Sequence, residues 1–150
     1  MSARLRAVPL WMPRRGVAGD EGSILILTLG YALLAIVVVL VCVDATSLYL
    51  AQKRLDALAD AAALAGADGF TFVVEGEEPK AELTSDGVRE QAEAVVGELG
   101  DDAVVVDAGT PDGVSARVTV AGTWRPPVIT LFVPEGVALE ATATSRTALR

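Results

Sequence analysis

The chain has 150 residues and a net charge of −8 that is unevenly spread: residues 1–22 hold Arg4, Arg6, Arg14 and Arg15 against Asp20 and Glu21, whereas residues 44–150 hold eight basic and eighteen acidic side chains. An acidic C-terminal part repels phosphate backbones and argues against nucleic acid as a partner. There is no histidine, and the sole cysteine, Cys42, lies in an apolar run. Ser/His and Cys/His nucleophilic catalysis and an intrachain disulfide are therefore excluded within the chain.

The first predicted element is the uncharged run Ser23–Val43, 21 residues of which fourteen are Leu, Ile or Val. As a helix it is about 31 Å long, the thickness of a hydrocarbon core of about 30 Å. It exceeds the apolar part of a secretory signal peptide. The nearest small-residue cleavage pattern, Val43-Asp44-Ala45, carries a charge, and Val41 precedes Cys42 where a lipoprotein site needs a small residue. A retained transmembrane helix is expected, with Cys42 as apolar filler. Arg14 and Arg15 lie within ten residues of its N-terminal end, whereas the first basic residues beyond it are Lys53 and Arg54. The positive-inside rule places the N-terminus in the cytoplasm and the C-terminal part outside the cell membrane.

Asp44 marks the membrane boundary, because a carboxylate is costly at the bilayer centre and far less so at the interface. Helical spacing continues beyond it. Leu48, Leu55 and Ala62 repeat every seven residues, as do Ala51, Leu58 and Ala65. Together they form a narrow stripe suited to packing on another surface, either the chain's own domain or a neighbouring copy. Lys53, Asp56 and Asp60 occupy the opposite side. The alanines of "ALADAAALAGA" favour helix and permit close backbone approach. Gly66 and Gly69, around Asp68, end the helix.

The segment from Gly22 to Gly66 resembles the N-terminal module of TadE/TadG-like proteins of the Flp (Tad) pilus assembly system, most closely the TadG-like type. The residues that carry the resemblance are Gly22 before the span, Asp44 closing it, the Leu48-Tyr49 pair, Arg54-Leu55, and Asp60, Ala61, Ala62, Ala63, Leu64 and Ala65. It covers about a third of the chain. It implies a membrane-anchored, minor-pilin-like assembly component, with other Tad membrane proteins or minor pilins, the lipid bilayer and further copies of itself as partners. It does not reveal a reaction. The pattern departs from pilin-like precursors at Leu27, where those carry Glu in the fifth position after the cleaved Gly. "DATSL" at Asp44 does not form the metal site of the von Willebrand A-type domain carried by longer TadG-like chains.

Past the stalk, residues 67–83 read as a linker with one short strand at Phe70–Val74. "SDGVREQAEAVVGELG" places Val88, Ala92, Val95, Val96 and Leu99 on one helical face, with Ser85 as N-cap and Gly100 as stop. "AVVVDAG" and "GVSARVTVAGTW" read as strands joined by a Pro-Asp-Gly turn, with Val114, Ala116, Val118 and Val120 inward. "RPPVITLFVPEG" reads as a short apolar helix or loop; simple core packing is the leading reading of its apolar residues, with a patch near the membrane or a partner surface as the alternatives, and Trp124 beside it suits either. The last strand directs Val137, Leu139, Ala141 and Ala143 inward.

The expected fold class is α+β: a long N-terminal transmembrane-plus-stalk helix, then a second helix packed on a small three-stranded antiparallel sheet, pilin-like in outline. The expected organisation is a cytoplasmic lead over 1–22, the transmembrane helix over 23–43, its extracytoplasmic continuation over 44–66, a linker over 67–83 and a small extracytoplasmic domain over 84–150. Asp101-Asp102 and Glu77-Glu78 leave paired-carboxylate chemistry, as in glycosidases, or weak calcium binding open, but they are adjacent pairs in turn-like segments, expected in solvent, and have no EF-hand spacing. The expectation is a structural protein or, alternatively, a single-pass binding module outside any filament, and not an enzyme, with no catalytic, cofactor or metal site.

Overall fold

A computed structural model describes residues 20–75, 78–130 and 132–146. The arginines of the lead, Glu77 and Leu131 lie outside the described residues. In chain order the elements are α1 (Asp20–Asp68), β1 (Thr71–Glu75), β2 (Glu78–Glu82), α2 (Ser85–Leu99), β3 (Val104–Gly109), β4 (Ser115–Trp124) and β5 (Val137–Arg146). The described residues divide into two units, one up to Val38 and one from Val39 onward. Within the first, the side chains from Gly22 to Val38 are all exposed.

The second unit is built on the antiparallel sheet β3-β4-β5. The alternation of β4 and β5 sets its two faces: Val118 pairs with Ala143 and Val120 with Ala141, all four buried. Arg117, Thr142 and Thr144 point the other way and are exposed. Two helices cover the apolar face. From α2 come Val88, Ala92 and Val96; from α1 come Leu55, Ala59, Ala62, Ala63 and Ala67. A core of alanine and valine gains little from each side chain, so it depends on close approach. Gly66 shows how close: a Cβ there would lie 2.9 Å from Val88 Cγ1 and 3.3 Å from Ala116 Cβ.

The α+β outline matches the sequence expectation, and four local features differ from it. The cap of α2 is Thr84, whose hydroxyl accepts from the Gly87 amide at 3.2 Å. Ser85 instead turns its hydroxyl to the Thr110 amide at 3.3 Å, so a side chain that reads as a local cap ties α2 to the end of β3. Segment 67–83 holds the end of α1 and the antiparallel hairpin β1–β2, with Thr71 opposite Glu82 and Glu75 opposite Glu78. Residues 125–130 and 132–136 form bends and turns, the loop of the two alternatives, whereas Val137, expected inward, is exposed. Val114 is exposed and Ser115 buried, because β4 starts one residue later than the alternation alone indicates.

Asp112 causes that shift. Its Oδ1 accepts from the amides of Val114 at 3.1 Å and Ser115 at 2.6 Å, and its Oδ2 accepts from the Ser115 hydroxyl at 2.9 Å. Gly113 supplies the left-handed conformation the turn needs, with φ 75°. The Ser115 hydroxyl, then the Val114 amide and the nearby Arg146, hold the Asp112 carboxyl below its ordinary range. A carboxylate whose pKa is lower folded than unfolded stabilises the fold fully above its unfolded pKa. That contribution is lost as pH falls through the folded value. Acid titration of the Val114 and Ser115 amide resonances is expected to give a midpoint below that of an ordinary aspartate, and Asp112→Asn to abolish the transition. A midpoint in the ordinary range would refute this account of the turn.

Candidate functional site

The outer part of α1, from Asp44 to Asp68, carries most of the residues singled out by sequence, and the fold sorts them by face. Leu55 and Ala62 of the apolar stripe are buried in the chain's own domain core; Leu48, Ala51, Leu58 and Ala65 are half-buried along its edge. Ala63 is also buried, Ala61 is half-buried, and Tyr49, Arg54, Asp60 and Leu64 are exposed. Gly22 is exposed, with no other atom within 4 Å of a Cβ placed on it. On the exposed face Lys53 Nζ lies 3.0 Å from Asp56 Oδ2 and 5.9 Å from the Tyr49 ring centre. Asp56 also accepts from Gln52 Nε2 at 3.0 Å, and the same amide group reaches the Glu140 carbonyl at 3.1 Å, fastening α1 to β5.

Asp44, expected from the sequence at the membrane boundary, makes a contact within the fold. Its side chain is buried, 8 % exposed, and Oδ1 accepts from the Val128 amide at 3.2 Å. Pro126 and Pro127 have no N–H, so Val128 offers the first amide after Arg125 that can bond. Pro126 is fully buried. One turn further along α1, Ser47 Oγ accepts from Trp124 Nε1 at 3.1 Å. The connection between β4 and β5 is thus clamped onto α1 by one carboxylate and one hydroxyl. Sequence reasoning misses this clamp because the partners lie 84 and 77 residues apart and leave no periodic trace. The available clue was the pair of prolines beside a tryptophan.

Beside the clamp runs a groove of about 520 Å³, floored by Ala51, Leu55, Leu58, Gly122, Trp124 and Leu139 and edged by Leu99, Arg54, Asp101 and Asp102. Gly122 keeps it open opposite Leu55, whose Cδ1 would lie 3.4 Å from a Cβ at 122. Of the adjacent carboxylates, Asp102 is exposed and sits 3.6 Å from an Arg125 guanidinium nitrogen. Among the described residues no group of three or more His, Cys, Asp or Glu side chains is placed to hold a metal ion. An apolar groove with a charged rim suits the burial of another apolar surface.

A long helix with an unburied apolar stretch, continuing into the core of a small α+β domain, defines a class: a domain carried on a helix long and apolar enough to cross a membrane. Residues 22–69 match the family model of TadE/G-like Flp pilus-assembly proteins. No curated protein and no solved structure matches the chain. The matched stretch coincides with α1 from Gly22 to its end, so the domain formed by the rest of unit 2 lies outside the match.

Proposed function

We propose that the chain is a membrane-anchored structural component of a Tad/Flp-type pilus assembly or secretion apparatus, minor-pilin-like and TadG-like. In this reading residues 1–22 are a cytoplasmic lead, 23–43 cross the bilayer, 44–66 continue the helix outside, and the domain is presented on the extracytoplasmic side. The observation that carries it is the coincidence of the family match with a single helix whose apolar, unburied part precedes a part embedded in a domain core. The alanine-rich end of the family pattern then has a physical reason, since only small side chains let α1 lie against both α2 and the sheet.

Partners in this proposal are other Tad membrane proteins, minor pilins or further copies. Because Leu55 and Ala62 are occupied by the domain, lateral contact falls to the half-buried Leu48, Ala51, Leu58 and Ala65 and to the exposed row Val43, Leu50, Ala57 and Leu64, spaced seven apart. Single cysteines at Leu50, Ala57 and Leu64, in a Cys42→Ala background, are expected to cross-link to Tad components or to a second copy in native membranes. A cysteine at buried Ala62 is not. Adducts from none of the exposed positions would overturn the assembly role, and protection of the domain from protease added to intact cells would overturn the topology.

The groove favours a second reading, an extracytoplasmic binding module that never joins a filament. That reading requires the protein to stay stable and correctly located when the pilus machinery is deleted. The assembly reading expects it to follow the sheared surface fibres or the assembly complex.

A further inference from the structure

We propose that the connection between β4 and β5, residues 125–136, is a second membrane contact, which seats its apolar tip in the interfacial layer of the outer leaflet beside the point where α1 leaves the lipid. The inference rests on the reading of Ser23–Val43 as a bilayer span.

Position is the first support. The Val128 amide bonds to Asp44, the first charged residue after the apolar run, and Trp124 bonds to Ser47 one turn later. Whatever depth Asp44 occupies, the start of this connection shares it.

Composition is the second support. Residues 126–134 contain no charged side chain, and charges stand at both ends, Arg125 and Glu135. Phe132 is 84 % exposed and Ile129 40 % exposed. A phenylalanine so exposed on a small acidic domain is costly in water and favourable among lipid headgroups and upper acyl chains. Trp124 suits the same boundary, with an apolar ring and its N–H already bonded.

Backbone satisfaction is the third support and separates a lipid-facing loop from an ordinary sticky one. Peptide groups entering a layer poor in water must carry their own partners. Pro126, Pro127 and Pro134 have no N–H to satisfy. The Phe132 and Val133 amides both donate to the Ile129 carbonyl, at 2.9 and 3.1 Å, and the Gly136 amide donates to the Val133 carbonyl at 3.2 Å. The Thr130 hydroxyl donates back to the Pro126 carbonyl. With the Phe132, Val133 and Gly136 amides bonded internally and three prolines that have none, the connection carries part of its own backbone satisfaction to a lipid surface.

The test uses the full chain in a Cys42→Ala background, reconstituted in phosphatidylcholine–phosphatidylglycerol vesicles. An environment-sensitive fluorophore is placed singly at Ile36→Cys, Phe132→Cys and Glu98→Cys. The expected result is blue-shifted emission at 132, several-fold stronger quenching by shallow spin-labelled lipid than at 98, and protection from aqueous iodide. Position 36 should be quenched by deep spin-labelled lipid. Adding Phe132→Asp should abolish lipid quenching of a label at Ile129→Cys while leaving the label at 36 unchanged. Lipid quenching at 36 with full iodide access at 132 overturns the inference and leaves the span standing. Iodide access at both removes the span as well. Shielding at 132 that grows with protein-to-lipid ratio, without lipid quenching, assigns the tip to a second copy and also overturns the proposal.

Discussion

Replacing Gly66 by valine is expected to lower the thermal midpoint of the detergent-solubilised full-length protein by about 10 °C or more, corresponding to about 2–3 kcal/mol. Two effects of a larger residue act in opposite directions here. Glycine inside a helix is unfavourable by about 1 kcal/mol relative to alanine, so propensity alone makes any substitution at this helical position look beneficial. Packing opposes it. The first added carbon would meet Val88 Cγ1 at 2.9 Å and Ala116 Cβ at 3.3 Å. Neither neighbour yields easily, since Val88 is fully buried with a stiff branched side chain and Ala116 is fully buried in the central strand. Gly66→Ala should therefore lose stability despite its better propensity, and Gly66→Val should lose more. Gly97 is the internal control: it lies in α2, and a Cβ there would meet nothing within 4 Å. Gly97→Ala is expected to stabilise by about 0.5 kcal/mol. Equal gains at both positions would mean that α1 does not press against α2 and β4 as described.

The same residues show how much of the fold the sequence reveals. Alanines at 59, 62, 63 and 67 mark a helix built for close approach, and that much is legible from composition. What they approach is not legible, because an alanine row reads the same whether it meets its own domain or another copy. Local hydrogen bonding limits the reading in other places. Thr84 and Ser85 are both good caps, and only the distant Thr110 amide, which engages Ser85, decides between them. Asp112 delays β4 by one residue through bonds that alternation cannot anticipate. The hairpin β1–β2 is missed because its second strand, "EPKAE", contains a proline and no aromatic or β-branched residue, so strand propensity is absent and cross-strand pairing alone defines it. For the candidate site, the sequence indicates the helix and its boundary residue; the clamp between Asp44 and Val128 arises only when the chain folds back across 84 residues.

That clamp leads to the second large effect. Asp44→Leu is expected to release residues 125–136 from α1 and, in the proposed topology, to shift the depth at which the helix leaves the bilayer. The substitution keeps the branch point at Cγ, although leucine is the larger side chain, and removes the acceptor for the Val128 amide; a hydrogen bond to a charged acceptor contributes about 1.5–3 kcal/mol. It also removes the first charge after the apolar run, leaving residues 23–52 without one, so the span loses the polar stop that fixes its outer end. Asp44→Asn separates the two roles. The asparagine carbonyl oxygen can still accept from Val128, while the charge that holds the position out of the lipid is gone. Proteolysis within 125–136 is therefore expected to rise sharply for Asp44→Leu and little for Asp44→Asn, whereas water-accessible labelling of a cysteine at Ser47 should fall in both. The cause lies in the different physics of the two contacts: hydrogen bonding requires an oxygen at that place, whereas the bilayer boundary requires a charge. Unchanged proteolysis in Asp44→Leu would show that Pro126 burial and the Trp124–Ser47 bond suffice to hold the connection, and that Asp44 acts only at the boundary.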